Sequence, residues 1–437
     1  MRQTLFYLEP WLFDGWFLGA WILVGLAYAV FQYTQGNAKE VLGFAPLWMI
    51  VAAVIHLVLP NLQTPGVNPV DPNGPLIPAG LGIQGYGLCM LVAMMSGLGL
   101  ALWRCRQVGF SGDRIFTLAF WMIVCGLIGA RAFYVIQKWD NFSGLPPREL
   151  FFEIINMTQG GLVVYGSLIG GMIAGFTYLT ICNLSWRQVG DIVAPSMVLG
   201  LAIGRVGCLM NGCCYGGVCD ADFPGLQFPP GSPPYTQQLR DGSLLGIKGK
   251  LIGSEDIWSH KALIEVVSVR EGSKPEQLGI KPGDKVKIYP PETIRLRAFK
   301  ERDLPARAET MIEMENGRKH SIVARELPNQ SLKTHPTQLY SAVSAGLLCL
   351  VLWFYFPYRK SNGEVFALML ILYPITRFLL EMIRRDEQGQ FGTTFTISQW
   401  VSMGIIVLGF GVWIYSRSME VVQESAASLS KLDNTET

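Results

Sequence analysis

The chain has 437 residues, half of them hydrophobic and only 16% charged, well below the roughly 25% charged residues of an ordinary soluble chain. A formal net charge of +2 gives no support for nucleic-acid binding. About half of the charges fall between Asp220 and Asn329, so the rest of the chain is too apolar for a soluble domain. The N-terminus does not read as a cleaved signal peptide: Arg2 is its only basic residue, and Glu9 and Asp14 interrupt the apolar stretch.

A helix crossing the hydrocarbon core needs about 20 mostly apolar residues. Nine stretches qualify, at 16–33, 44–59, 82–103, 115–136, 160–181, 189–206, 339–356, 365–383 and 397–415. The second is short and carries His56. Basic residues in short loops favour the cytoplasm. Lys39, Arg104, Arg106, Arg114, Arg187, Arg359, Lys360 and Arg417 fall on one side; only Lys138, Arg148, Arg384 and Arg385 fall on the other. The first set is expected inside, which places residues 220–333 outside and the polar tail 418–437, read as disordered, in the cytoplasm.

Between the sixth and seventh spans the composition turns soluble. Residues 262–269 alternate like a half-buried strand, and a hairpin is expected from 310–314 and 320–323 around Asn316-Gly317. The run Leu278-Gly279-Ile280-Lys281-Pro282-Gly283-Asp284 between them resembles the PDZ fold, with a core at about 262–326. Such a sheet could capture an extended peptide or protein segment by strand addition; a lid or spacer is the other reading.

Charged residues in spans are costly, roughly 2.5–3.5 kcal/mol at the centre, so those present call for explanation. Arg131, Arg205 and Arg377 with Glu381 all fall towards the outer ends of their spans. Arg377 and Glu381 share a helix face through their i,i+4 spacing. Guanidinium groups bind phosphate through paired, charge-assisted hydrogen bonds, so three arginines at one lipid interface point to a phospholipid headgroup.

These motifs resemble the prolipoprotein diacylglyceryl transferase family. The similarity runs in order through Tyr86-Gly87-Leu88, Gly129-Ala130-Arg131, Gly160-Gly161-Leu162 with Gly166-Ser167-Leu168-Ile169-Gly170, Gly190-Asp191 and Ala194-Pro195. It continues through the 204–217 signature, His335-Pro336-Thr337-Gln338-Leu339-Tyr340, and Arg377-Phe378 with Glu381. The resemblance implies an α-helical polytopic protein of the bacterial inner membrane, with about nine spans and a small, mostly β domain inserted between the sixth and seventh. Residues 1–79 would add two helices to the family's usual set. Residues 80–219 and 334–417 would form the transferase-like membrane domain, and 220–333 an insertion facing the periplasm. It also implies the reaction: the diacylglyceryl group of phosphatidylglycerol passes to the lipobox cysteine thiol of a prolipoprotein, and glycerol phosphate leaves. No metal or organic cofactor is implied. Arg205 and Arg377 match the family's functional arginines, Glu381 would position Arg377, and Tyr86, Arg131, Asn211, Gly216 and Tyr340 would line the substrate site.

Three departures bear on catalysis. Tyr165 stands where the family usually has His, and a neutral tyrosine of pKa about 10 is a poor proton acceptor; His335 or Glu381 is the expected substitute. Cys208 and Cys213 replace the signature's usual Asn and Glu, while Gly216 is kept. With Cys214 and Cys219 they crowd one outside loop, where an oxidising compartment favours one or two bridges. The spacing does not resemble paired C-x2-C knuckles, which weighs against a thiolate metal site. Two other function classes stay open: a silent homologue binding peptides through its PDZ-like domain, and a thiol–disulfide oxidoreductase built on the 208–219 cysteines.

Overall fold

A computed structural model describes residues 4–8, 16–34, 48–49, 52, 65–66, 77–78, 81–144, 146–155, 161–219, 222–252, 263–290, 309–323, 326–384 and 393–433. In chain order the elements begin β1 (Thr4–Leu8), α1 (Trp16–Thr34), β2 (Pro65–Gly66), β3 (Ile77–Pro78), β4 (Leu81–Gln84) and α2 (Gly85–Val108). Next come α3 (Gly112–Gln137), α4 (Pro147–Ile155), α5 (Val164–Ile181), α6 (Trp186–Asn211) and α7 (Pro233–Arg240). The β-rich stretch holds β5 (Ile247–Ile252), β6 (Leu263–Val269), α8 (Lys274–Gln277), β7 (Lys285–Tyr289), β8 (Glu309–Met314) and β9 (Lys319–Val323). The chain closes with α9 (Thr337–Tyr355), α10 (Glu364–Glu381) and α11 (Ile397–Asp433). By contacts it divides into two compact units, Met1–Leu88 with Gly207–Pro336, and Cys89–Val206 with Thr337–Thr437.

The second unit is a helical bundle. Small residues set its closest crossing, between α3 and α5. A Cβ added to Gly129 would strike the carbonyl oxygen of Gly166, and one added to Gly170 would strike that of Cys125. Glycine at i and i+4 therefore lets the two backbones touch, the small-residue packing typical of helices in lipid. A second cluster joins Ala194, Val198 and Ala202 of α6 to Ala345, Leu348 and Leu352 of α9 and to Val365 and Met369 of α10. The outward faces stay apolar: Met95, Phe116, Ile128, Met172, Phe176, Val343, Leu347 and Phe354 are all exposed. Six helices among the described residues are long and apolar enough to span a bilayer. In water these faces would form an apolar patch far beyond what a monomer tolerates.

In the first unit, β1 pairs antiparallel with β4, a ribbon the sequence did not suggest. The inserted segment folds as one sheet in the order β5-β6-β7-β8-β9. Period-two alternation turns Ile264, Val266, Val286, Ile288, Ile312 and Ile322 inward against Tyr235 and Leu239 of α7. The Pro-Gly-Asp turn is closed by its own side chain: the Lys281 amide donates to Asp284 Oδ2 at 2.7 Å. Backbone bonds from Gly283 to Val266 and from Val266 to Asp284 then tie the turn to β6. The expected hairpin forms as β8 and β9, with Ile312 opposite His320.

The apolar stretch 44–59 lies largely outside the described residues. Helix α10 carries three charged residues, Glu364, Arg377 and Glu381, so length and composition alone do not mark it as a span. Helix α11 continues to Asp433, through residues whose polarity reads as disordered; Ala, Glu, Gln, Lys and Leu there are all good helix formers.

Candidate active site

Within the helical unit the three arginines have different environments. Arg131 is buried and ties the last turn of α4 to Gly161. Its Nε donates to Ile154 O at 2.8 Å, Nη2 to Glu153 O at 2.7 Å and Nη1 to Gly161 O at 3.1 Å. A guanidinium with three donors on carbonyls clamps the backbone there; the family resemblance alone makes Arg131 a phosphate ligand. Arg377 is ion-paired with Glu381 one turn on, and the Glu381 side chain is 1% exposed. Such a pair orients the arginine and leaves the carboxylate bound to a permanent cation, a poor setting for a proton acceptor. Arg205, half-buried near the end of α6, has no hydrogen-bond or ion-pair partner among the described residues.

Tyr165 occupies the first turn of α5 and is 51% exposed. It precedes Gly166, whose contact with Gly129 fixes that turn. Tyr340 is half-buried in the first turn of α9, beside the fully buried Gln338.

The remaining candidates belong to the other unit. A Cβ on Gly85 would lie 3.0 Å from Met210 Sδ, so Tyr86 and Asn211 each follow a residue of one helix contact. The strip 331–336 is hydrogen-bonded on both edges. Gly216 N reaches His335 O at 2.9 Å, His335 N reaches Gly217 O at 3.0 Å, and Leu226 pairs with Thr334. This places Gly216 and His335 side by side, and the half-buried imidazole packs on Phe223 with ring centres 4.6 Å apart.

None of the nine cysteines forms a disulfide among the described residues. The sulfurs of Cys208, Cys213 and Cys214 lie within 4.8 Å of one another, while Cys219 turns towards Gly225. A hydrogen bond with Cys208 favours the Cys213 thiolate, but Cys214 and burial outweigh it and hold that thiol above its ordinary range. A redox-active attacking thiol needs the opposite shift.

Sequence reasoning quoted Gly190-Asp191 without giving it a role, and that role is structural. Asp191 is fully buried at the N-terminus of α10, accepting from Gly363 N at 2.8 Å and Phe366 N at 2.9 Å. Arg359 Nε lies 3.4 Å from the same carboxylate. Beside it, buried Glu364 accepts from Tyr355 Oη at 2.9 Å and Arg417 Nε at 2.7 Å. The partner residues lie far apart in sequence, which is why spacing could not reveal the network.

Apolar helices with exposed greasy faces, close glycine crossings and costly charges confined to a few positions define a multi-pass membrane protein. The sequence profile of the prolipoprotein diacylglyceryl transferase family matches residues 76–415, and the chain belongs to that family. It is 35% identical to the phosphatidylglycerol–prolipoprotein diacylglyceryl transferase of Rhodopirellula baltica, over 93% of this chain and 87% of that one. The Clostridium tetani protein of the same name is 24% identical, over 77% of this chain and 95% of its own. A match over 93% of the chain is longer than residues 76–437, so the Rhodopirellula relative also shares sequence ahead of residue 76.

Proposed function

We infer that this chain transfers the diacylglyceryl group of phosphatidylglycerol to the lipobox cysteine thiol of prolipoproteins and releases glycerol phosphate. The substrate thiol attacks the glyceryl carbon bonded to the phosphate oxygen; the C–S bond forms as that C–O bond breaks, and the thiol proton leaves to a base. Negative charge grows on the departing phosphate, so a fixed cation is worth most in the transition state.

The observation that carries the assignment is Arg205. A half-buried guanidinium on an apolar helix, with no protein acceptor among the described residues, is costly in lipid. A phosphodiester supplies the missing acceptors in matching fork geometry. Arg377, oriented by Glu381, is the second phosphate contact, and Tyr86, Asn211 and Tyr340 donate to the headgroup. His335 is the proton acceptor in place of the family's usual histidine, because Glu381 is engaged with Arg377.

The test is transfer from phosphatidylglycerol to a lipobox peptide by purified protein. Arg205→Ala should lower kcat about 100- to 1000-fold, the range for removing one transition-state donor. Wild-type rates in that variant would overturn the assignment.

The finer topology we propose is nine spans in the bacterial inner membrane, with residues 220–333 in the periplasm and the C-terminus in the cytoplasm. The bias of Arg and Lys between loops supports it. The insertion is read as PDZ-like, taking an extended peptide on an edge of its sheet, β5 or β9. A proline at Lys250 of β5 or at Ser321 of β9 would block strand addition; unchanged peptide capture in both would refute that role.

A further inference from the structure

The turn that follows α6 carries three thiols that the transfer reaction does not require. Cys208 lies in the last turn of α6, and Cys213 N folds back onto Cys208 O at 3.1 Å. Gly212 allows this reversal with φ +74°, and the next but one residue, Cys214, also sits in the left-handed region at φ 59°. That conformation is unfavourable for a non-glycine residue, and Asn or Gly would fill it more cheaply. Consecutive side chains normally diverge along an extended or helical backbone. The left-handed turn instead brings the Cys213 and Cys214 sulfurs to one point with Cys208, all three within 4.8 Å and half-buried.

We propose that Cys208, Cys213 and Cys214 form a three-sulfur site for a thiophilic d10 cation, Zn(II) or Cu(I). Three thiolates suit a zinc with one open position, or copper(I), which soft sulfur ligands select. With metal–sulfur bonds of about 2.3 Å the sulfurs would stand about 3.8 Å apart, so the observed cluster needs only modest contraction. A single bridge would use two of the thiols and leave the third, together with the strained Cys214 backbone, unexplained. Cys219 lies outside the set, its sulfur against Gly225.

The full-length protein in detergent, reduced and metal-free, is titrated anaerobically with Zn(II), with Co(II) as its spectroscopic probe, and separately with Cu(I) against bathocuproine disulfonate. The expected result is one metal per chain, with a sulfur-to-cobalt charge-transfer band for a zinc site or retention of Cu(I) against the chelator for a copper site. Cys208→Ser and Cys213→Ser should weaken binding at least tenfold, and Cys219→Ser should leave it unchanged. Cys214→Gly relieves the left-handed strain while removing a ligand, so a well-folded Cys214→Gly protein should still lose the metal. Sub-stoichiometric binding of both metals, equal binding in the Cys214→Gly variant, or a quantitative bridge from Cys208 to Cys213 or Cys214 in native protein would overturn the proposal.

Discussion

Arg131, Arg205 and Arg377 look alike in sequence, yet their surroundings give them three different tasks. Arg131 places three donors on carbonyls 153, 154 and 161, Arg377 is held by Glu381, and Arg205 has no hydrogen-bond or ion-pair partner among the described residues. The same logic supports His335 as the proposed base. Transferring a proton to Glu381 would break its pairing with Arg377, whereas the His335 imidazole packs on the Phe223 ring and has no hydrogen-bond or ion-pair partner among the described residues. His335→Ala should therefore lower kcat about 100- to 10,000-fold, the span of general-base catalysis, and flatten the acid limb of the pH–rate profile. Glu381→Gln should instead weaken phosphatidylglycerol use by misorienting Arg377 while keeping that limb. A pH–kcat series on both variants checks this, and a retained acid limb in His335→Ala would exclude His335. Residue identity was legible at these positions because charge within an apolar span is conspicuous. The acceptors of Arg131 were not legible, because backbone carbonyls leave no mark on a sequence.

At the scale of elements, periodicity and punctuation went a long way. Alternation placed β6, the Pro-Gly-Asp turn placed the start of β7, and Asn316-Gly317 placed the β8–β9 hairpin. Helix ends were less legible. Asp191 caps α10 from another helix across 172 and 175 positions of sequence, and no local cue announces such a cap. The α3–α5 crossing shows how much an element can rest on the absence of a side chain. Gly166 and Gly170 face Gly129 and Cys125 so closely that a Cβ has no space. Gly170→Leu must push the helices apart, beyond the 1–3 kcal/mol usual for overpacking, because the obstacle is backbone and not a movable side chain. Separation of α5 also carries Gly161 away from Arg131. The expected outcome is a lower detergent unfolding temperature and faster proteolysis between residues 153 and 161, with Gly346→Leu, where a Cβ meets nothing within 4 Å, as the matched control. Equal stability of the two variants would remove the crossing from the structural argument.

For the whole molecule, the family relationship and the chemistry demand that a phospholipid headgroup and a secreted cysteine meet on one face of the membrane. Charge placement is the basis of the proposed orientation. Arg104 lies between Trp353 and Phe356 with its guanidinium carbon 3.9 and 4.0 Å from the ring centres. Arg359 and Arg417 hold the carboxylates of Asp191 and Glu364 at the start of α10. These arginines are built into the fold and do not merely decorate loops. Neutralising loop charges alone should therefore fail to invert the protein. A cysteine introduced at Ser254 of the insertion, in a background with the native cysteines replaced, is expected to react with a membrane-impermeant maleimide in intact spheroplasts. One introduced at Thr437 should react only after the membrane is opened. The reverse pattern would place Arg205 and Arg377 on the face where no secreted cysteine arrives, and the transfer reaction would then need a different site.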